Sequence, residues 1–145
     1  MTKLHLYLGV AVLASNGLTA VWGAIAWTRR DPSTIFWYLL RTAQVIVVVQ
    51  VVLGVVLLAG GKKPPDSLHY VYGIAPLVVS LVCEAARVAI AQSELEAAGD
   101  INSLDRREQI LLARRVVLRE IGTMTIGAIL IVTLALRAAS TGGGF

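Results

Sequence analysis

The chain has 145 residues, of which 57% are hydrophobic and 15% are charged, and its net charge is +4. Because an average soluble domain carries about a quarter charged residues, this composition excludes an ordinary water-soluble domain. The basic residues border apolar runs, so we expect membrane lipid head groups as their partners, not nucleic acid. The single cysteine, Cys83, excludes an internal disulfide and a cysteine-based metal cluster.

Four apolar segments approach the roughly 20 residues that a helix needs to cross a bilayer. They predict an all-α fold, an integral membrane four-helix bundle forming one domain over residues 1–145, with spans at about 4–27, 34–59, 68–91 and 116–136. Charged turns that contain Gly or Pro separate the first three spans. A cleaved signal peptide is the alternative for the first span, and the Arg29-Arg30 pair that follows favours a retained helix.

The third connection, residues 92–115, is polar but keeps helical character. Gly99 predicts a helix C-terminus, and Asn102 with Asp105 three positions later predicts a cap for the next helix. We therefore expect helices 3 and 4 to extend past the bilayer as a helical hairpin.

The basic residues are divided unequally between the two ends of the predicted bundle. One end carries Lys3, Lys62, Lys63 and Arg137, whereas the hairpin end carries Arg29, Arg30, Arg41, Arg87, Arg106, Arg107, Arg114, Arg115 and Arg119. The positive-inside rule then predicts a plasma (inner) membrane protein with a cytoplasmic hairpin and both termini on the extracytoplasmic side.

A short repeat involves both histidines of the chain. The ten residues from Leu4 align without a gap with the ten from Leu68, and Leu, His, Gly, Ala and Leu coincide. His5 and His69 therefore lie at one depth on helices that run in the same direction. Ionisable residues within spans usually face the bundle interior, and two opposed imidazoles can clamp a haem iron. Zinc or copper would need more ligands, so we expect one b-type haem per chain.

The residues around the histidines fit the same hypothesis. Gly9 and Gly73 each follow a histidine by four positions, on the same helix face, and would leave a groove for the macrocycle; close helix packing is the alternative role. Lys3, Lys62 and Lys63 would pair with haem propionates or with lipid phosphates. Further residues expected to pack against the haem are Tyr7, Tyr70, Tyr72 and Gln50.

Several other polar residues fall inside the predicted spans. We expect an ion-pair layer, with a quinone or substrate pocket as the alternative, formed by Arg41, Glu84, Arg87 and Arg119. Close helix packing is predicted at Gly17, Gly23, Gly122 and Gly127. The sequence contains no nucleotide loop, nucleophile elbow, zincin motif or paired catalytic carboxylates, so no catalytic residue is predicted.

The segment Gln50-Val51-Val52-Leu53-Gly54, the Pro-containing loop after it and Leu68-His69, with His5 opening the first helix, resemble one four-helix half of the haem A synthase family. The resemblance implies that His5 and His69 bind haem near the outer membrane surface. The family's enzyme has two such halves and an acidic residue before the first histidine, where this chain has Lys3-Leu4. The resemblance therefore implies that this chain is not a complete synthase. It implies a haem-holding half that forms a homodimer or joins a redox-partner complex.

Two functions from different classes follow from these residues. The first is a cytochrome-like membrane haem protein for electron transfer or for holding and transferring haem, because bis-histidine iron has no free position for oxygen. The second is a cofactor-free accessory subunit of a larger membrane complex. A transporter ranks third, since the sequence lacks a pair of Gly/Pro-interrupted helices.

Overall fold

The computed structural model describes residues 2–142, and this part of the chain is helical. The helices are α1 (Thr2–Thr28), α2 (Thr34–Ala59), α3 (Leu68–Ala98) and α4 (Arg106–Thr141), with a short 3-10 helix at Ile101–Ser103. All four α-helices are long and apolar enough to cross a membrane. The prediction of an all-α chain with four such helices is therefore confirmed.

The helix ends follow local side-chain chemistry. The Ser33 hydroxyl caps α2 by accepting a hydrogen bond from the Phe36 N–H. Gly99 ends α3 with a φ of +72°, which favours glycine. Asp105 and Glu108 form a capping box at the start of α4. Asn102 belongs to the 3-10 helix and donates its N–H to Asp100, so Asp105 alone caps α4.

The helices alternate in direction, which brings the starts of α1 and α3 and the ends of α2 and α4 to one end of the bundle. We call this the histidine end, because His5 and His69 meet there. The opposite hairpin end holds the connection between α3 and α4. Helix α4 packs closely on α1 and α3, and α1 packs on α2, whereas α2 and α3 contact each other less than these pairs do.

Glycines bring the helices close together in the half nearer the hairpin end. A methyl group at Gly23 on α1 would overlap Thr125 and Phe36, and one at Gly122 on α4 would lie 2.8 Å from the Trp27 ring. This half contains the larger buried cluster, Ala26, Phe36, Leu40, Ile121 and Met124. A methyl group at Gly17, by contrast, would meet no atom within 4 Å outside its own helix backbone, so Gly17 does not serve close packing.

The bundle opens toward the histidine end. A smaller buried cluster of Val12, Val47 and Ile131 lies between the two halves. Beyond it the four helices separate around a cavity, for which Val12 and Val47 form the floor. Pro76 lines the same cavity inside α3 and cannot donate the usual backbone hydrogen bond there.

Candidate functional site: a cavity holding both histidines

The cavity at the histidine end has a volume of about 520 Å³ and is lined by all four helices and the Lys62–Pro65 loop. Small-molecule and cofactor sites span roughly 300–1,000 Å³. Its walls are mainly apolar, with aliphatic side chains such as Val51, Val55 and Ile74, and its few polar groups include both histidines and Gln50. This composition suits an apolar ligand held by a few directed contacts.

The two histidine rings lie close together in the lining of the cavity. Their centroids are 6.1 Å apart, and their planes are inclined by 65°. A metal lies about 2 Å from an imidazole nitrogen, which is itself about 1.2 Å from the ring centre, so two opposed ligands keep their ring centres about 6 Å apart. The ring separation thus fits a single metal ion held between the two imidazoles.

His69 is held from three directions. Its Nδ1 lies 2.8 Å from the Ala138 carbonyl oxygen, and its backbone N–H donates to the Asp66 carbonyl over 3.1 Å. The Gly142 backbone packs against the ring, since a methyl there would lie 2.9 Å from Cε1 and Nδ1. Because a carbonyl only accepts, Nδ1 carries the hydrogen and Nε2 keeps a free lone pair, the usual arrangement of a metal-binding histidine.

His5 has fewer polar partners. Its Nε2 lies 3.4 Å from Gln50 Nε2, and Gly54 packs on the ring, with a methyl there 3.3 Å from Cε1. Within residues 2–142, His5 Nδ1 and Gln50 Oε1 are buried without a hydrogen-bond partner. Buried polar atoms without a partner are unusual in a structural core, and both atoms belong to residues that line the cavity.

Most of the other predicted site residues line this cavity. They are Gly9, Gly73, Tyr70, Tyr72, Lys3, Lys62 and Lys63. A methyl at Gly73 would meet no atom within 4 Å, whereas one at Gly9 would lie 3.4 Å from Gln50 Nε2. Tyr7 does not line the cavity: its side chain is 68% exposed on the outside of the bundle.

A second polar cluster lies in the half nearer the hairpin end. Glu84 accepts hydrogen bonds from Arg41 at 2.6 Å and from Gln44 at 2.8 Å, and Arg87 bridges Glu84 at 2.9 Å and Glu120 at 3.3 Å. The structure thus joins three of the four residues of the predicted ion-pair layer.

Arg119 lies apart from that layer, contrary to its predicted grouping. It pairs with Glu94 on α3 at 2.5 Å, and Arg115 approaches the same carboxylate at 3.7 Å. Neighbouring residues on a helix point about 100° apart, so Arg119 and Glu120 face different partners. Glu94 is buried, and no sequence signal had singled it out.

The ion-pair layer and the cavity are separate sites. Glu84 follows His69 by 15 residues on α3, which corresponds to about 22 Å at 1.5 Å per residue. None of Arg41, Glu84 or Arg87 lines the cavity, so these groups pair with one another and not with a ligand there. In the described part of the chain, no group of three or more His, Cys, Asp and Glu side chains could hold a metal ion.

Three contributors to the site were not predicted from the sequence. The Ala138 carbonyl is a backbone group and leaves no side-chain signal, and Gly142 lies far from His69 along the chain. Gly54 could have been recognised, because it ends the Gln-x-x-Leu-Gly segment whose Gln50 also contacts His5.

Comparisons of the chain with protein-family models, with curated proteins and with solved structures find no match. The function proposed for this chain therefore rests on its own residues and their geometry.

Proposed function

We propose that this chain is an integral membrane haem-binding protein in which His5 and His69 hold one b-type haem, for electron transfer or for holding and transferring haem. The observation that carries the proposal is the 6.1 Å separation of the two ring centroids inside a largely apolar cavity. The bound iron would supply a one-electron ferric/ferrous couple.

The residues of the cavity have distinct roles in this proposal. His69 would bind through Nε2, because its Nδ1 hydrogen is donated to Ala138. The open space at Gly73 leaves room for a flat ligand beside α3. The apolar walls would limit contact between water and the metal, and Lys3, Lys62 and Lys63 at the cavity would pair with carboxylates of the ligand.

The proposed orientation follows from charge. The histidine end would face the extracytoplasmic side of the plasma membrane, with both termini there, and the α3–α4 hairpin would lie in the cytoplasm. The excess of arginines toward the hairpin end supports this orientation through the positive-inside rule. Haem near the outer face is also what the resemblance to a haem A synthase half implies.

An absorption spectrum of protein purified from haem-replete cells tests the proposal. We expect a red protein with one haem per chain and a sharp reduced-minus-oxidised α band typical of two imidazole ligands. His5→Ala and His69→Ala should each remove that six-coordinate band. Tyr7→Ala is a matched control, since Tyr7 lies two residues from His5 on the same helix but outside the cavity.

A colourless wild-type protein, or an unchanged α band in both histidine variants, would contradict the proposal. Colourless protein that co-purifies stoichiometrically with another membrane protein would favour the accessory-subunit alternative.

A further inference from the structure

The two histidines differ in how firmly the protein holds them for metal binding. The His69 ring donates Nδ1–H to Ala138, and the Gly142 backbone packs against it. His5 can offer an Nε2 lone pair only with its hydrogen on Nδ1, which is buried without an acceptor among residues 2–142. Loss of such an outer hydrogen bond typically lowers metal affinity by about 10–100-fold, so we expect His5 to be the weaker ligand.

Gln50 widens this difference because its amide competes for the same nitrogen. Gln50 Nε2 lies 3.4 Å from His5 Nε2. In this amide orientation its N–H donates to the lone pair that would otherwise bind the metal. If the amide is reversed, its oxygen accepts from Nε2–H, and the lone pair of the ring then lies on Nδ1, which is buried. As placed, the Gln50 amide would stabilise a His5 that is detached from the iron.

We infer that His69 is the permanent haem ligand and His5 an exchangeable one, so that the site binds a neutral diatomic ligand on the His5 side, with Gln50 stabilising the displaced imidazole. The inference rests on the proposed haem site. A haem held firmly by both histidines would serve electron transfer alone. An exchangeable His5 would allow the same haem to bind a ligand as well.

Such an exchange would need no oxidant or reductant. His5 would give up its bond to the metal as the incoming ligand forms one, and the imidazole would keep its own electron pair. His5 would keep its Nδ1 hydrogen, and its Nε2 lone pair would accept a hydrogen bond from the Gln50 amide.

Carbon monoxide is the probe, titrated into dithionite-reduced, haem-loaded protein in detergent and followed by absorption spectroscopy. We expect wild-type protein to bind carbon monoxide. His5→Ala should keep its haem as a five-coordinate centre and bind carbon monoxide more tightly, whereas His69→Ala should lose most of its haem. Circular dichroism spectra of the variants check that each remains helical.

Gln50→Leu is the decisive variant, because it removes the competing amide and leaves both histidines in place. We expect its carbon monoxide affinity to fall by about 10-fold, the lower end of outer-shell effects on metal ligation. Gln44→Leu is the matched control on the same helix, since Gln44 contacts Glu84 and lies outside the cavity; its affinity should equal that of the wild type.

Haem-loaded wild-type protein that binds no carbon monoxide would overturn the inference while leaving the proposed function standing. An unchanged affinity in Gln50→Leu, or equal haem loss in His5→Ala and His69→Ala, would overturn it as well. Failure of the wild type to hold haem would instead contradict the proposed function itself.

Discussion

Substitution of Gly73 tests whether the repeated glycines serve ligand binding or helix packing. A methyl at this position meets no atom within 4 Å, so helix packing does not require glycine there. Gly73→Ala should leave the thermal stability of the haem-free protein unchanged or higher, because alanine favours a helix by about 1 kcal/mol over glycine. It should reduce haem occupancy several-fold, because the methyl enters the proposed macrocycle space. Melting curves and the haem-to-protein ratio measure the two effects.

Gly17→Ala is the control for this prediction. Gly17 also has open space around its methyl position but does not line the cavity. Its substitution should leave haem occupancy unchanged. If Gly73→Ala instead lowered the melting temperature of the haem-free protein without affecting haem occupancy, the packing role would be correct and the groove role wrong.

The crossing of α1 and α4 depends on Gly23, a glycine that helix packing does require. A methyl at Gly23 would overlap the Thr125 hydroxyl and the Phe36 ring, and Phe36 is fully buried. Overpacking a well-packed core typically costs about 1–3 kcal/mol, so Gly23→Ala should lower the free energy of unfolding by that amount. Thermal unfolding in detergent, followed by circular dichroism, measures the change. Gly17→Ala, six residues earlier on α1, should show no loss, and an equally stable Gly23→Ala protein would contradict this account of the crossing.

The helices themselves could be predicted from the sequence because their signals are local. The predicted span 34–59 coincides with α2, and the predicted start at Leu68 coincides with that of α3. Continuous apolar runs with Gly, Pro and charge between them determine these limits. The cap of α4 was predicted less well, since Asn102 and Asp105 are both good caps and only Asp105 adopts that position.

The candidate site could be predicted from the sequence only where the chain repeats itself. The repeat around His5 and His69 placed both rings at one depth, and their contact in the structure depends on that shared register. The partners that distinguish the two histidines come from α2 and α4, far away in sequence. Helical periodicity does not predict the contact of the Ala138 carbonyl with His69. It does not predict the directions of the Tyr7 and Arg119 side chains either, because each of these features depends on how neighbouring helices are rotated.

The ion-pair layer joins α2, α3 and α4 across the interior of the molecule. Arg87 contacts Glu84 and Glu120 and lies over the Trp37 ring, 5.6 Å from its centroid. Removing one partner of a fully buried pair leaves an uncompensated charge and lowers the stability of the protein by about 3–5 kcal/mol. Because these side chains retain 12–25% exposure, we expect Arg87→Leu to destabilise the protein by about 2–3 kcal/mol.

A double variant identifies the cause of that loss. Glu84 keeps Arg41 as a partner, so the charge left without a partner in Arg87→Leu is Glu120. Adding Glu120→Leu should therefore recover much of the stability in a denaturation assay. Arg41→Leu is the control, because Arg41 is about half exposed and exposed pairs contribute little. A double variant as unstable as Arg87→Leu would show that packing on Trp37, not charge, is what Arg87 supplies.

The distribution of charge over the whole molecule predicts its direction in the membrane, and cysteine labelling in intact cells tests that direction. Cys83→Ala provides a cysteine-free background. Lys62→Cys places a thiol in the exposed loop at the histidine end, and Asn102→Cys places one in the exposed connection at the hairpin end. A membrane-impermeant maleimide should label the Lys62 position in intact cells and the Asn102 position only after permeabilisation, because the positive-inside rule predicts that the arginine-rich end stays in the cytoplasm. The reverse pattern would place the cavity on the cytoplasmic side, so that haem and its redox partner would have to be supplied from within the cell.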